Sequence, residues 1–175
     1  SASGIAYLPV LPRCCLVIVG GGPVGKAVGE LAADLEFDVW VVDDRPEFVA
    51  EERFPRASRR ISGPIDRVLP DLAVTSDTYC LIVTRGHGHD QNALYHLAPT
   101  AAPYVGLIGS ARKIKLIFDS LRESGVAASA LARVSAPVGF DIGSQTVPEI
   151  AVSVVAELIA RRNLGPKGLP RKSGV

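Results

Sequence analysis

The sequence predicts a doubly wound α/β domain, with a mainly parallel sheet of five to six strands flanked by helices. Short apolar runs typical of buried parallel strands alternate along the chain with segments of helical periodicity. The first of these runs leads into a glycine-rich turn and then into a helix. Apolar residues make up 47% of the 175 residues, and the mean hydropathy is +0.26. This composition is typical of a sheet covered by helices on both faces.

The first strand and the turn after it form the most informative motif. The apolar run 14–19 is followed by Gly20, Gly22 and Gly25, which have the spacing G-x-G-x-x-G. Such glycines provide a tight turn, close backbone approach to a pyrophosphate, and helix-to-strand packing, and they define a Rossmann-like fold. The anion would lie at the positive end of the following helix. The predicted phosphate-binding residues are Gly20, Gly21, Gly22, Pro23, Val24 and Gly25.

The second predicted strand, Val39–Val42, ends at an acidic residue, Asp43. An acid at this place accepts hydrogen bonds from a ribose hydroxyl and repels a 2′-phosphate, which favours NAD as the ligand. Arg45 lies two residues further on and weakens this preference for NAD over NADP. The alternative is that Asp43 only caps a short helix that begins near Pro46.

The next clear strand, Tyr79–Thr84, follows a weakly patterned stretch with a short strand at Arg59–Ile61. If the strand order is 3-2-1-4-5, this strand lies beside the first, and the loop after it faces the glycine turn. Arg85 in that loop is suited to an anion, because a guanidinium pairs bidentately with phosphate or carboxylate. We therefore add Thr84, Arg85 and Gly86 to the predicted cofactor-binding residues.

The same loop carries His87, His89 and Asp90, and three interpretations of these residues stay open. They could seat a metal, act as acid–base catalysts near neutral pH, or simply start a helix with Asp90 as its N-cap. The sequence has no further Cys or His cluster to complete a metal site, so we predict no protein-bound metal.

A fifth strand, Tyr104–Ile108, ends at Gly109, and Ser110 is placed to cap the next helix. Arg112 and Lys113 fall in the first turn of that helix, where cations oppose the helix dipole. They are either solvated basic residues or contacts for a bound anion. The predicted cofactor-binding set therefore also includes Gly109, Ser110, Arg112 and Lys113.

The last part of the domain contains a short sixth strand at Arg133–Ser135 and a long helix. Thr146 and Glu149 form a capping box at the start of this helix. Its apolar stripe continues to Ile159, and Val152 and Ala156 are expected to widen the buried face.

The chain divides into a lead-in (1–13), a Rossmann-like NAD(P)-binding domain (14–163) and a disordered basic tail (164–175). Basic and acidic residues nearly balance, at 19 and 18, and five of the basic residues follow residue 160. The part of the chain before residue 161 is slightly acidic, which argues against nucleic acid as a partner. The apolar runs are too short to span a bilayer, and three cysteines make no disulfide framework, so we expect a cytoplasmic protein. The absence of methionine suggests a missing upstream part.

Several motifs in register resemble the C-terminal Rossmann domain of the XdhC/CoxI family, the accessory factors of xanthine dehydrogenase and CO dehydrogenase. Pro23 departs from the family pattern, which usually has His after the second glycine of the fingerprint. The matching segments are Gly20–Gly25, Val42–Arg45, Thr84–Asp90, Tyr104–Lys113, Ala136–Gly143 and Pro148–Ala151.

The resemblance implies a maturation factor that binds molybdenum cofactor, helps its sulfuration and delivers it to an apo-molybdoenzyme. It also implies a cofactor sulfurase as a partner and an N-terminal domain upstream of this chain, and a homodimer is possible. The alternative function is an NAD(P)-dependent oxidoreductase with His87 or His89 as proton donor. Because molybdopterin and NAD(P) both carry phosphate, the sequence does not separate these two cofactors.

Overall fold

The computed structural model describes residues 13–165 as a six-stranded, all-parallel sheet flanked by helices, which confirms the predicted fold. The strands are β1 (Cys15–Val19), β2 (Asp38–Asp43), β3 (Arg59–Ser62), β4 (Thr78–Ile82), β5 (Tyr104–Leu107) and β6 (Val134–Ser135). The helices are α1 (Pro23–Asp34), α2 (Ile65–Val68), α3 (His87–Leu97), α4 (Ala111–Glu123), α5 (Ala128–Leu131) and α6 (Val147–Leu164), with 3-10 turns at Pro46–Phe48 and Leu69–Asp71. Almost all of the predicted lead-in and tail lies outside the described residues, although Leu164 still belongs to α6.

The strand order is β3-β2-β1-β4-β5-β6, so β1 lies between β2 and β4 as predicted. At the carboxyl end of β1, Val19 is in register with Val42 on one side and with Ile82 on the other. The loops that leave β1, β2 and β4 therefore emerge at the same edge of the sheet. This edge is the topological switch point at which doubly wound sheets bind ligands.

Alternate residues of the strands point into two separate apolar cores, one on each face of the sheet. Leu16 and Ile18 of β1 pack with Val28 of α1 and with α6. Val17 and Val19 pack with α2, α3 and α4 on the other face. Since residues 16–19 of β1 are completely buried on both faces of the sheet, the strand is an apolar run without alternation.

Helix α6 differs from its predicted pattern on its buried face. The capping box of Thr146 and Glu149 is confirmed, but Val152 is 51% exposed, so it does not widen the buried face. Ser153 and Glu157 are buried instead, because they hold the end of β6 and the segment that follows it. Ser153 donates a hydrogen bond to the carbonyl oxygen of Phe140, and the Glu157 carboxylate accepts bonds from the Gly139 N–H and the Ser135 hydroxyl.

Candidate functional site

The glycine turn joins β1 to α1, and each glycine of its fingerprint has a distinct steric environment. Gly20 has φ +115°, and a Cβ there would lie 2.4 Å from the carbonyl oxygen of Val83. A Cβ on Gly25 would lie 2.0 Å from the carbonyl oxygen of Gly20. A Cβ on Gly22 would meet nothing within 4 Å. The turn and packing roles predicted for Gly20 and Gly25 are thus confirmed, and Gly22 is the position with open space for a ligand.

The N–H groups of the turn divide into those used by the protein and those that remain available. Gly20 donates to the carbonyl oxygen of Val42 at 2.8 Å, and Gly21 donates to Asp43 Oδ2 at 2.9 Å. Between residues 13 and 165, no protein group accepts a hydrogen bond from the N–H of Gly22, Val24 or Gly25. These donors belong to the first turn of α1, where no intrahelical partner exists. Water or a bound anion can satisfy them.

An open crevice of about 610 Å³ lies beside the turn, between the loops that follow β2 and β4. The charged residues of its lining are Arg45, Arg53 and Arg85. Phe48, Val83 and Ile108 contribute apolar surface. The full lining comprises Gly20, Gly22, Pro23, Val24, Arg45, Phe48, Arg53, Val83, Thr84, Arg85 and Ile108.

Asp43 lies at the end of β2 and is 4% exposed. Its Oδ1 accepts bonds from the backbone N–H of Arg45 at 3.1 Å and from Arg45 Nε at 2.9 Å. Its Oδ2 accepts from Gly21 N–H and from Arg45 Nη2. Burial acts to raise the pKa of Asp43, but the hydrogen bonds from Arg45 and Gly21 outweigh it, so the pKa of this carboxyl is lowered. Asp43 is therefore an ionised side chain that holds the glycine turn and Arg45 in place.

Arg85 closes the crevice on the β4 side through an ion pair with Asp44. Arg85 Nη2 lies 2.6 Å from Asp44 Oδ2, and the two side chains are 45% and 29% exposed. His89 Nε2 lies 3.5 Å from the same guanidinium nitrogen. The contact joins the loop after β2 to the loop after β4, across the end of β1.

Asp90 lies behind this loop and is completely buried. Thr84 Oγ1 donates to its Oδ1 at 2.6 Å, and the Lys113 ammonium pairs with its Oδ2. The interpretation of Asp90 as an N-cap is wrong, because α3 begins at His87 after Gly86 and Asp90 lies within its first turn. The pair also explains why a lysine occupies the first turn of α4, since its charge is used by Asp90.

The structure separates the predicted site residues into two groups. Of the predicted set, the crevice is lined by Gly20, Gly22, Pro23, Val24, Arg45, Thr84 and Arg85. The remaining predicted residues do not line it: Gly21, Gly25, Asp43, Gly86, His87, His89, Asp90, Gly109, Ser110, Arg112 and Lys113. A ligand role for any of these residues stays a prediction.

Sequence reasoning missed Phe48 and Arg53, which line the crevice from the stretch after β2. Arg53 Nε donates to the carbonyl oxygen of Gly21 at 2.6 Å. This stretch has no regular periodicity, so hydrophobic patterning gave no signal. The usable signal is topological, because the segment that leaves β2 must border a crevice at the end of β1.

Two further properties concern the part of the chain that the structure describes. None of its helices combines the length and the apolar character that crossing a membrane requires. Its His, Cys, Asp and Glu side chains form no group of three or more that could hold a metal ion.

The parallel sheet, the strand order and the open glycine turn at the switch point define a Rossmann-type α/β domain. Comparison with known families agrees with this class. Residues 16–158 match the family model described as the XdhC Rossmann domain. The chain therefore belongs to the XdhC family, as the resemblance in its motifs predicted.

Two curated proteins and one solved structure illustrate this relationship. The chain is 32% identical over 151 residues to a probable xanthine dehydrogenase subunit of Bacillus subtilis (strain 168), covering 86% of this chain and 44% of that protein. It is 37% identical over 158 residues to YqeB of Escherichia coli (strain K12), covering 90% of this chain and 29% of that protein. A crystal structure described as a xanthine dehydrogenase from Bacillus halodurans superimposes with a TM-score of 0.75 and 28% identity, over 91% of this chain and 46% of that one. The chain thus spans less than half the length of each of these relatives.

Proposed function

We propose that this domain is the cofactor-binding part of an accessory factor for a xanthine dehydrogenase-type molybdoenzyme, and that it holds molybdenum cofactor by its phosphate. The observation that carries the proposal is the set of available N–H donors at Gly22, Val24 and Gly25. Gly22 and Val24 line a crevice that three arginines also line. Membership of the XdhC family and the names of the relatives support the accessory role.

The residues present fit a phosphorylated pterin. The space above Gly22 admits a phosphate at the N-terminus of α1, because a side-chain atom there would meet nothing within 4 Å. Arg85, paired with Asp44, lines the β4 side, and the apolar surface of Val83 and Ile108 is available to the ring system. The cofactor supplies the redox chemistry of the client enzyme, and the role of this chain is to bind and orient it.

Replacing Gly22 with Asp tests the phosphate site without disturbing the turn. Gly22 has φ −65°, which any residue adopts, and its Cβ position is open, so the variant should fold. The new carboxylate would occupy the phosphate position and repel the ligand. We expect molybdopterin to bind at least about tenfold more weakly, a loss of about 1.4 kcal/mol or more. The measurement is equilibrium binding of molybdopterin to the full protein.

Gly88→Asp is the matched control, because a Cβ at Gly88 also meets nothing within 4 Å and Gly88 does not line this crevice. It should leave molybdopterin binding unchanged. Equal affinities of the wild type and the Gly22→Asp variant would exclude the proposed phosphate site. The alternative oxidoreductase function, with His87 or His89 as proton donor, stays a prediction. Neither histidine lines the crevice.

A further inference from the structure

Two guanidinium groups are held together at the β2 side of the crevice, on the ring of Phe48. The Arg45 guanidinium carbon lies 3.3 Å from the centroid of this ring, and that of Arg53 lies 5.0 Å from it. All three side chains line the crevice. Stacking on an aromatic ring restrains a guanidinium in a plane and leaves its edge able to donate hydrogen bonds.

The positive charge of Arg53 is available to interact with a ligand. Its Nε donates to the carbonyl oxygen of Gly21, which fixes the side chain against the glycine turn. Within residues 13–165, no carboxylate lies within 4 Å of its guanidinium nitrogens, and its two Nη groups have no protein acceptor. In the same crevice Arg45 is paired with Asp43, and Arg85 is paired with Asp44. Among the described residues, Arg53 is therefore the lining cation that no protein carboxylate offsets.

The carboxylate of Asp43 does not oppose an anion at this place in the way that the sequence suggested. Both of its oxygens accept hydrogen bonds from Gly21 or Arg45, and the side chain is almost completely buried. Its charge is compensated by Arg45 at 2.9 Å. The usual repulsion between an acid at the end of the second strand and a ribose phosphate is thereby weakened.

We infer that Arg53 and Arg45 form a second anion subsite, and that the crevice binds a nucleotide with a ribose 2′-phosphate more tightly than the same nucleotide without it. The inference rests on the proposed phosphate site at the glycine turn. In doubly wound nucleotide sites, the ribose next to that phosphate lies beside the end of the second strand, where Arg45 lies. A phosphomonoester there would accept charge-assisted hydrogen bonds from Arg53.

Calorimetric titration of the full protein with NADP⁺ and NAD⁺ tests this inference, because the two probes differ only in the 2′-phosphate. We expect NADP⁺ to bind roughly 10- to 100-fold more tightly, as two or more charge-assisted hydrogen bonds would provide. Arg53→Gln should bring the affinity ratio close to one, because it should weaken NADP⁺ binding more than NAD⁺ binding. Arg53→Lys should retain part of the preference, since it keeps the charge and loses the planar donor geometry.

Arg56→Gln is the matched control, because it makes the same chemical change three residues away. Arg56 pairs with Asp34 outside the crevice, so this variant should keep the full preference for NADP⁺. Thermal unfolding of each variant verifies that it is folded.

Four results would overturn the inference, and together they separate it from the proposed function. Equal affinities for NADP⁺ and NAD⁺, both reduced by Gly22→Asp, would refute the second subsite and leave the phosphate site intact. A preference for NADP⁺ that survives Arg53→Gln would also refute it. If molybdopterin binds and neither dinucleotide does, the inference fails and the proposed function stands; if none of the three ligands binds, both fail.

Discussion

Replacing Lys113 with Met tests whether the buried pair of Asp90 and Lys113 is a structural lock behind the crevice. The Asp90 side chain is completely buried, and without Lys113 its remaining side-chain partner within residues 13–165 is the Thr84 hydroxyl. Leaving an uncompensated charge in such a place destabilises a protein by about 3–5 kcal/mol. Because the Lys113 side chain is itself 29% exposed, water has access to the pair. We therefore expect the lower end of that range, about 3 kcal/mol.

Urea unfolding measures this loss. With a slope of about 2 kcal/mol per M, a loss of about 3 kcal/mol lowers the urea midpoint by roughly 1.5 M. The double variant Asp90→Asn, Lys113→Met should recover most of the loss, since the amide of the new Asn is neutral and can still accept the bond from Thr84. Arg112→Met is the control, because Arg112 is exposed in the same helical turn and should change stability by less than about 0.5 kcal/mol.

The reasoning is refuted if Lys113→Met has the same urea midpoint as Arg112→Met, or if the double variant is as unstable as Lys113→Met. Either result would mean that Asp90 does not depend on Lys113 for its charge compensation. Lys113 would then again be a candidate for contact with a bound anion, as the sequence allowed.

Two further predictions concern the acidic residues at the end of β2. Asp44→Asn should release Arg85 for a ligand and tighten the binding of inorganic pyrophosphate. The gain should be only a few-fold, because the ion pair is exposed to solvent and such pairs contribute about 0.2–1 kcal/mol. Weaker pyrophosphate binding in a titration would contradict this role of Asp44. The pKa of Asp43 is lowered in the folded protein, so its stabilising contribution is complete above its unfolded pKa of about 3.9 and is lost as the pH falls through the folded pKa. Asp43→Asn should therefore lose less stability than the wild type in urea unfolding below about pH 4, and identical losses would show that Asp43 is not linked to acid unfolding.

The sheet could be predicted from the sequence because parallel strands buried on both faces are continuous apolar runs. This held for β1 and for β4, in which every residue is at least half-buried. The short helix α5 was missed, since four residues are too few to show a helical period. On α6, Ser153 and Glu157 broke the predicted pattern. Their partners lie at the end of β6 and in the segment after it, and periodicity within one helix carries no information about such contacts.

The candidate site was predictable only where its chemistry depends on local spacing. The glycine turn follows this rule, because close packing of backbone atoms requires glycine at positions 20 and 25. Arg53 does not, since it reaches the crevice by donating to a carbonyl 32 residues earlier in the chain. The pairing of Lys113 was not predictable for the same reason. Its unfavourable place in the helix dipole was visible, but its partner Asp90 lies 23 residues away in another helix.

Asp43 shows why the orientation of an acid, and not only its residue type, enters the expected ligand preference at this fold. The rule that an acid after the second strand selects an unphosphorylated ribose assumes that its oxygens face the ligand. Here both oxygens are directed to Gly21 and Arg45, so the acid stabilises the turn instead. Its charge is compensated within the protein, and the remaining field at the β2 side comes from Arg53. We therefore expect the ligand preference of the crevice to follow from which charges already have partners. Along its described lining, the charge without a carboxylate partner is that of Arg53.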